Sequence, residues 1–150
     1  MTLDDLRNEV EIDLNAIDQT LAELIALQID LGGRNPTVRE KAAAATFLAQ
    51  LYSGAENILK RINRFYDLPL PSSENWHLEL FLRFCEPGYP PLPILIDKAL
   101  ATSLTPYRKF RHVFHHGYSF QLDWERMREG AENAGDVIQR FKTRVIAFVG

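Results

Sequence analysis

Cys85 is the single cysteine among 150 residues, so an internal disulfide is excluded and there is no cysteine framework for zinc. A lone thiol is most simply a small core residue in a reducing compartment. Apolar runs are short, and none approaches the ~18 residues that a membrane span requires. The chain opens Met-Thr-Leu-Asp-Asp, with neither a basic nor an apolar leader segment. A soluble, cytoplasmic protein with no membrane partner is the expectation. Surplus positive charge is also missing. A formal net charge of -3 argues against a domain that coats nucleic acid non-specifically, because such domains carry a clearly basic surface. Alternation of period two never lasts long enough for a strand, and neither an internal repeat nor a low-complexity segment is present.

What remains is helical periodicity. Leu3, Leu6, Val10, Leu14, Ile17, Leu21 and Leu24 step by three and four along one face of a long helix, which Thr2 or Asp4 can cap and Gly32-Gly33 can stop. Thr37 can cap a second helix, whose apolar positions run from Val38 through Leu48, Leu51, Ile58 and Ile62 to Phe65, before Pro69 and Pro71. Two long helices and a short turn make an antiparallel hairpin. Ser72 or Ser73 opens a third helix through Trp76, Leu80 and Phe84, and Pro87-Gly88 stops it. A short apolar helix is expected over about 94–103. Thr105-Pro106 reads as an N-cap with proline at the first helical position, so a separate short helix should follow and end at Gly117. Asp123 caps a closing helix with apolar positions from Trp124 to Phe148. With 46% hydrophobic residues, the chain predicts one all-α domain over 1–150, an up-and-down bundle of four long helices with one or two short extras.

Charge is unevenly placed along this bundle. Residues 1–30 hold eight acids against Arg7 alone, whereas the span between Asp97 and Asp123 has four basic residues and no acid. Within that span, Tyr107-Arg-Lys-Phe-Arg-His-Val-Phe-His-His-Gly-Tyr118 gathers two arginines, a lysine, three histidines and two tyrosines. Arginine presents a planar fork of donors that fits phosphate oxygens, and histidine exchanges protons near neutral pH. A local basic site on an acidic body suits a protein that touches a few phosphates.

Arg111, His116 and Tyr118 spell R-x4-H-x-Y, a spacing that resembles the signature of the HEPN superfamily in its HepT-like toxin branch. The order of helices is similar too. The resemblance implies a metal-independent endoribonuclease that needs no cofactor and acts as the toxin of a toxin–antitoxin pair. It implies a homodimer with the active site at the two-fold interface, Arg111 and His116 as catalytic residues, and products ending in a 2′,3′-cyclic phosphate and a 5′-hydroxyl. It further implies a minimal nucleotidyltransferase antitoxin as partner, which adenylylates Tyr118 and so blocks RNA.

Helical geometry leaves the choice of histidine open. Arg108, Arg111 and His115 share a face of a regular helix, whereas Arg111 and His116 stand roughly 140° apart about the axis. His116 follows the R-x4-H-x-Y register; Arg108 and His115 are the alternative, supporting pair. Blander readings stand beside these. Basic runs ordinarily form solvated helix faces, and Tyr118 could be a buried tyrosine bonded to backbone at a helix end. His112 and His116 are four apart, but the stretch offers no carboxylate or thiolate to complete a metal site. His77, beside Trp76, reads as a surface or core-edge residue, and Phe110, Phe114, Phe120 and Trp124 as packing between the basic helix and the closing helix. A non-catalytic HEPN-like binding module associated with a nucleotidyltransferase is the competing function.

Overall fold

The computed structural model describes residues 1–117 and 122–150, and the described residues form helices and connecting loops without a strand. The helices are α1 (Leu3–Leu31), α2 (Val38–Phe65), α3 (Trp76–Arg83), α4 (Lys98–His116) and α5 (Trp124–Val149). Four are long and one is short, the kind of bundle predicted, although α4 joins two segments expected as separate short helices.

Local chemistry sets most of the ends. Thr2 rather than Asp4 caps α1, in a capping box with Asp5, and Gly32 closes the helix at φ 53°. Thr37 and Glu40 form the second capping box. Arg34 grips the Glu40 carboxylate at 2.6 and 2.7 Å, and the Thr37 N–H donates to it at 3.0 Å. These bonds, Arg34's above all, pull Glu40 down from 4.5 to about 2. A carboxylate whose folded value lies below its unfolded one stabilises the fold above the unfolded value, and that stabilisation fades as pH falls through the folded one. Glu40→Gln is therefore expected to lower urea resistance at pH 6. The gap to the unsubstituted protein should close as pH falls from about 4.5 towards about 2; a gap that stays constant over that window would refute the assignment.

α2 packs against every other helix. Its antiparallel pairing with α1 is marked by Arg61 bonded to Asp13 at 2.5 Å and Arg64 to Glu9 at 3.3 Å. Gly54 permits the close approach, since a Cβ there would lie 2.5 Å from Cγ1 of buried Ile17. α5 runs back along α1, with Lys142 on Asp18 at 2.7 Å and Arg7 Nε donating to the Val149 carbonyl. It lies antiparallel to α4 as well. There Arg140 donates to Ser103 at 3.0 Å, and the Tyr107 hydroxyl donates to the Gly130 carbonyl at 2.6 Å. Burial pushes the Tyr107 phenol up to about 12, so it remains a donor.

Three expectations about element boundaries are corrected. Residues 98–116 are one helix with Pro106 inside it, capped by Asp97 through the Leu100 N–H. Thr105 is no cap: its hydroxyl donates back to the Ala101 carbonyl at 2.7 Å. An interior proline costs about 3 kcal/mol, but Leu100, Leu104 and Tyr107 bury one continuous face across it, each worth roughly 1.5–3 kcal/mol. Tertiary packing outweighs the local stop signal. Residues 94–97, expected to be helical, instead run under the core, where Leu95 and Ile96 both donate to the Phe84 carbonyl. The third helix also begins later than Ser72 or Ser73, because Ser73 spends its side chain on the Asn75 N–H and on Glu79.

Candidate active site

The C-terminal half of α4 carries the basic stretch, and its helical register decides which side chains meet α2. Arg108 and Arg111 are half-buried, whereas Lys109, His112, His115 and His116 are exposed. Arg111 Nε donates to the Ser53 hydroxyl of α2 at 2.6 Å. Anchoring through Nε fixes the guanidinium plane without using either Nη, the pair that makes a fork for an oxyanion. Arg108 sends its guanidinium inward, 5.8 Å from the Phe81 ring. Its Nε is buried and has no hydrogen-bond partner among the described residues.

These arginines and His112 share a recess of about 100 Å³ with Tyr52, Glu56 and His77. Tyr52 is 3% exposed. Burial raises its phenol well above the ordinary value, Glu56 raises it further, and Arg108 and Arg111 oppose them. The hydroxyl is therefore protonated at neutral pH and available as a donor. Glu56 is 2% exposed, and its Oε2 lies 2.7 Å from His77 Nδ1. His77 is at the core edge as expected, with a partner that spacing along the chain does not reveal.

α4 is regular up to His116, and Gly117 continues in extended geometry. Within one chain this leaves His116 about 140° around the axis from Arg111. His116 sits beside His112, ring centroids 4.7 Å apart, and His115 packs edge-on against Phe114 at 5.6 Å. The structure thus gathers Arg108, Arg111 and His112 at the recess and leaves His115 and His116 on the exposed end of the helix. Tyr118 and Phe120 lie outside the described residues. Phe110, Phe114 and Trp124 are partly buried and pack against the core. Among the described residues no three His, Cys, Asp or Glu side chains gather as a metal site requires.

Tyr52, Ser53 and Glu56 escaped the reading of the sequence, and His77 reads there only as a surface or core-edge residue. The available signal was Glu56 itself, a carboxylate set among Leu48, Leu51, Ala55 and Leu59 on the buried face of α2.

A family model described as HepT-like protein matches residues 43–150. No curated protein and no solved structure matches the chain.

Proposed function

The chain belongs to the HepT-like family of the HEPN superfamily, and from that premise we propose that it is a metal-independent endoribonuclease, the toxin of a toxin–antitoxin pair. The observation that carries this reading is Arg111, clamped to Ser53 across the α2–α4 interface on the helix that ends in His115 and His116. A fixed guanidinium beside exposed imidazoles is the equipment for phosphoryl chemistry. A base takes the proton from a ribose 2′-hydroxyl, and the 2′-oxygen attacks phosphorus to form the cyclic phosphate. The P–O5′ bond breaks, and an acid protonates the leaving 5′-oxygen. His116 is assigned to proton transfer, with His115 as the substitute, and Arg111 to the charge on the phosphoryl oxygens, assisted by Arg108.

Geometry supports a shared site. One regular helix separates Arg111 from His116 by about 140°, so a two-fold related second copy is the simplest source of the missing partner. The test is cleavage of structured and single-stranded RNA in EDTA, with light scattering on the same sample. Persistent cleavage by a dimer, leaving 2′,3′-cyclic phosphate ends, is the expected result. A strict monomer at micromolar concentration, or cleavage only with added divalent metal, would reject the mechanism.

Control is assigned to Tyr118 through a minimal nucleotidyltransferase. An adenylyl group there would place a phosphate near Arg111 or Arg108 and compete with RNA for the same donors. Co-expression with such a partner should add adenylyl mass to the peptide carrying Tyr118 and silence cleavage, and Tyr118→Phe should lose the added mass and keep the activity. Full inhibition with Tyr118 unmodified would make the partner a steric blocker.

A further inference from the structure

The recess between α2, α3 and α4 is polar on three sides and small. A water needs about 10–15 Å³ of cavity space, so a recess of about 100 Å³ has room for several waters, or for one tetrahedral oxyanion. Two of its groups are buried without a hydrogen bond among the described residues, the Tyr52 hydroxyl and Arg108 Nε. Buried donors are nearly always paired in folded proteins, and a charged one left unmet is the costlier case. Both residues line the same recess.

A third group is held in place by its surroundings. His77 Nδ1 is taken by Glu56 at 2.7 Å, and the ring lies on Trp76, centroids 3.6 Å apart at 30°. Lys60 Nζ stands over the other partner of that stack, 4.8 Å from the Trp76 ring centre. The carboxylate fixes the imidazole through Nδ1–H, and in the doubly protonated imidazolium Nε2–H is left to donate to a ligand. Glu56 does not face an incoming anion unopposed, since Lys60 Nζ is also 3.9 Å from its Oε1. The other carboxylate in the wall, Glu74, is exposed and screened by solvent.

We propose that this recess is a phosphoryl subsite, in which Tyr52, Arg108 and the Nε2 edge of His77 hold one phosphate. Donors from three helices surround the ligand in three dimensions, which suits a tetrahedral group; a flat carboxylate is met by an arginine fork alone. In the ribonuclease reading, on which the identity of the natural ligand rests, the phosphate is the RNA phosphate next to the one handled by Arg111 and His116. Glu56 is then a positioning residue, acting through His77.

The test uses the full chain and two probes, inorganic phosphate and a 2′-O-methyl oligoribonucleotide that cannot be cleaved. Phosphate should move the His77 imidazole resonances saturably. Tyr52→Phe and His77→Gln should each raise the Kd for both probes about tenfold, the effect of one lost charge-assisted hydrogen bond, with circular dichroism unchanged. Tyr52→Phe removes only a hydroxyl and decides the matter if His77→Gln fails to fold. A Kd within twofold of the unsubstituted protein in Tyr52→Phe, or no saturable shift at His77, overturns the subsite. RNA cleavage measured on the same proteins separates the two readings. Phosphate binding without cleavage removes the ribonuclease and keeps the subsite; cleavage with binding indifferent to Tyr52 does the reverse.

Discussion

Arg111→Ala is expected to lower RNA cleavage about 10²–10³-fold, the usual loss when a fixed donor to a developing oxyanion is removed. His116→Ala should lose about 10²–10⁴-fold, as for a positioned acid or base. Arg111 is only half-buried and bonds one hydroxyl, so the fold should survive its loss, and circular dichroism with urea titration will show whether it does. Mixing the two inactive variants is the sharper measurement. If Arg111 of one copy works with His116 of the other, a mixed dimer keeps one intact site of two, and random exchange should restore about a quarter of full activity. No restoration, with subunit exchange verified, would place both residues of a working pair on one chain and return the choice to His115. Retained activity in Arg111→Ala would dismiss the assignment altogether.

Much of the architecture was legible because the signals were local. Thr2, Thr37 and Asp123 are caps within a turn of the residues they serve, and the apolar steps of α1, α2 and α5 need no knowledge of a neighbour. The misread junction at Thr105-Pro106 is where two local rules conflict with a non-local one. Thr-Pro starts helices elsewhere, but here Leu104 and Tyr107 are both buried, and the face they share carries the helix through. The basic stretch was equally visible, because its residues are contiguous. Its companions were not, since Ser53 lies 58 residues from Arg111 and Glu56 lies 21 from His77. Pairings across such distances follow from helix packing and leave no mark on spacing. The family match covers residues 43–150, and so includes both halves of these pairs.

Asn63→Ala should destabilise the protein by roughly 2–5 kcal/mol, because it removes two hydrogen bonds of a fully buried amide, one of them to a charged guanidinium, at about 1–3 kcal/mol each. Asn63 is 0% exposed near the end of α2. Its Nδ2 donates to the Leu68 carbonyl at 2.8 Å, and its Oδ1 accepts from Arg83 Nη1 at 2.8 Å. The same Nη1 donates to the Pro69 carbonyl at 2.9 Å. Just before these carbonyls the chain turns through Asp67 at φ 57°, a left-handed conformation that is uncommon for a non-glycine residue and that neighbouring contacts help to hold. Asn63 and Arg83 supply such contacts, and through Arg83 they tie the end of α3 to α2. At about 2–4 °C per kcal/mol for a chain of this size, the thermal midpoint should fall by roughly 5–15 °C. Asn63→Asp separates the two bonds. A carboxylate keeps the contact with Arg83 but cannot donate to Leu68, so its cost should come from the turn, with α3 still held. Because α3 carries His77, Asn63→Ala should also loosen the Glu56–His77 contact, visible as averaging of the His77 imidazole resonances below the unfolding transition. A thermal midpoint within 2 °C of the unsubstituted protein in Asn63→Ala would mean that water replaces both bonds at little cost, and that packing alone seats α3.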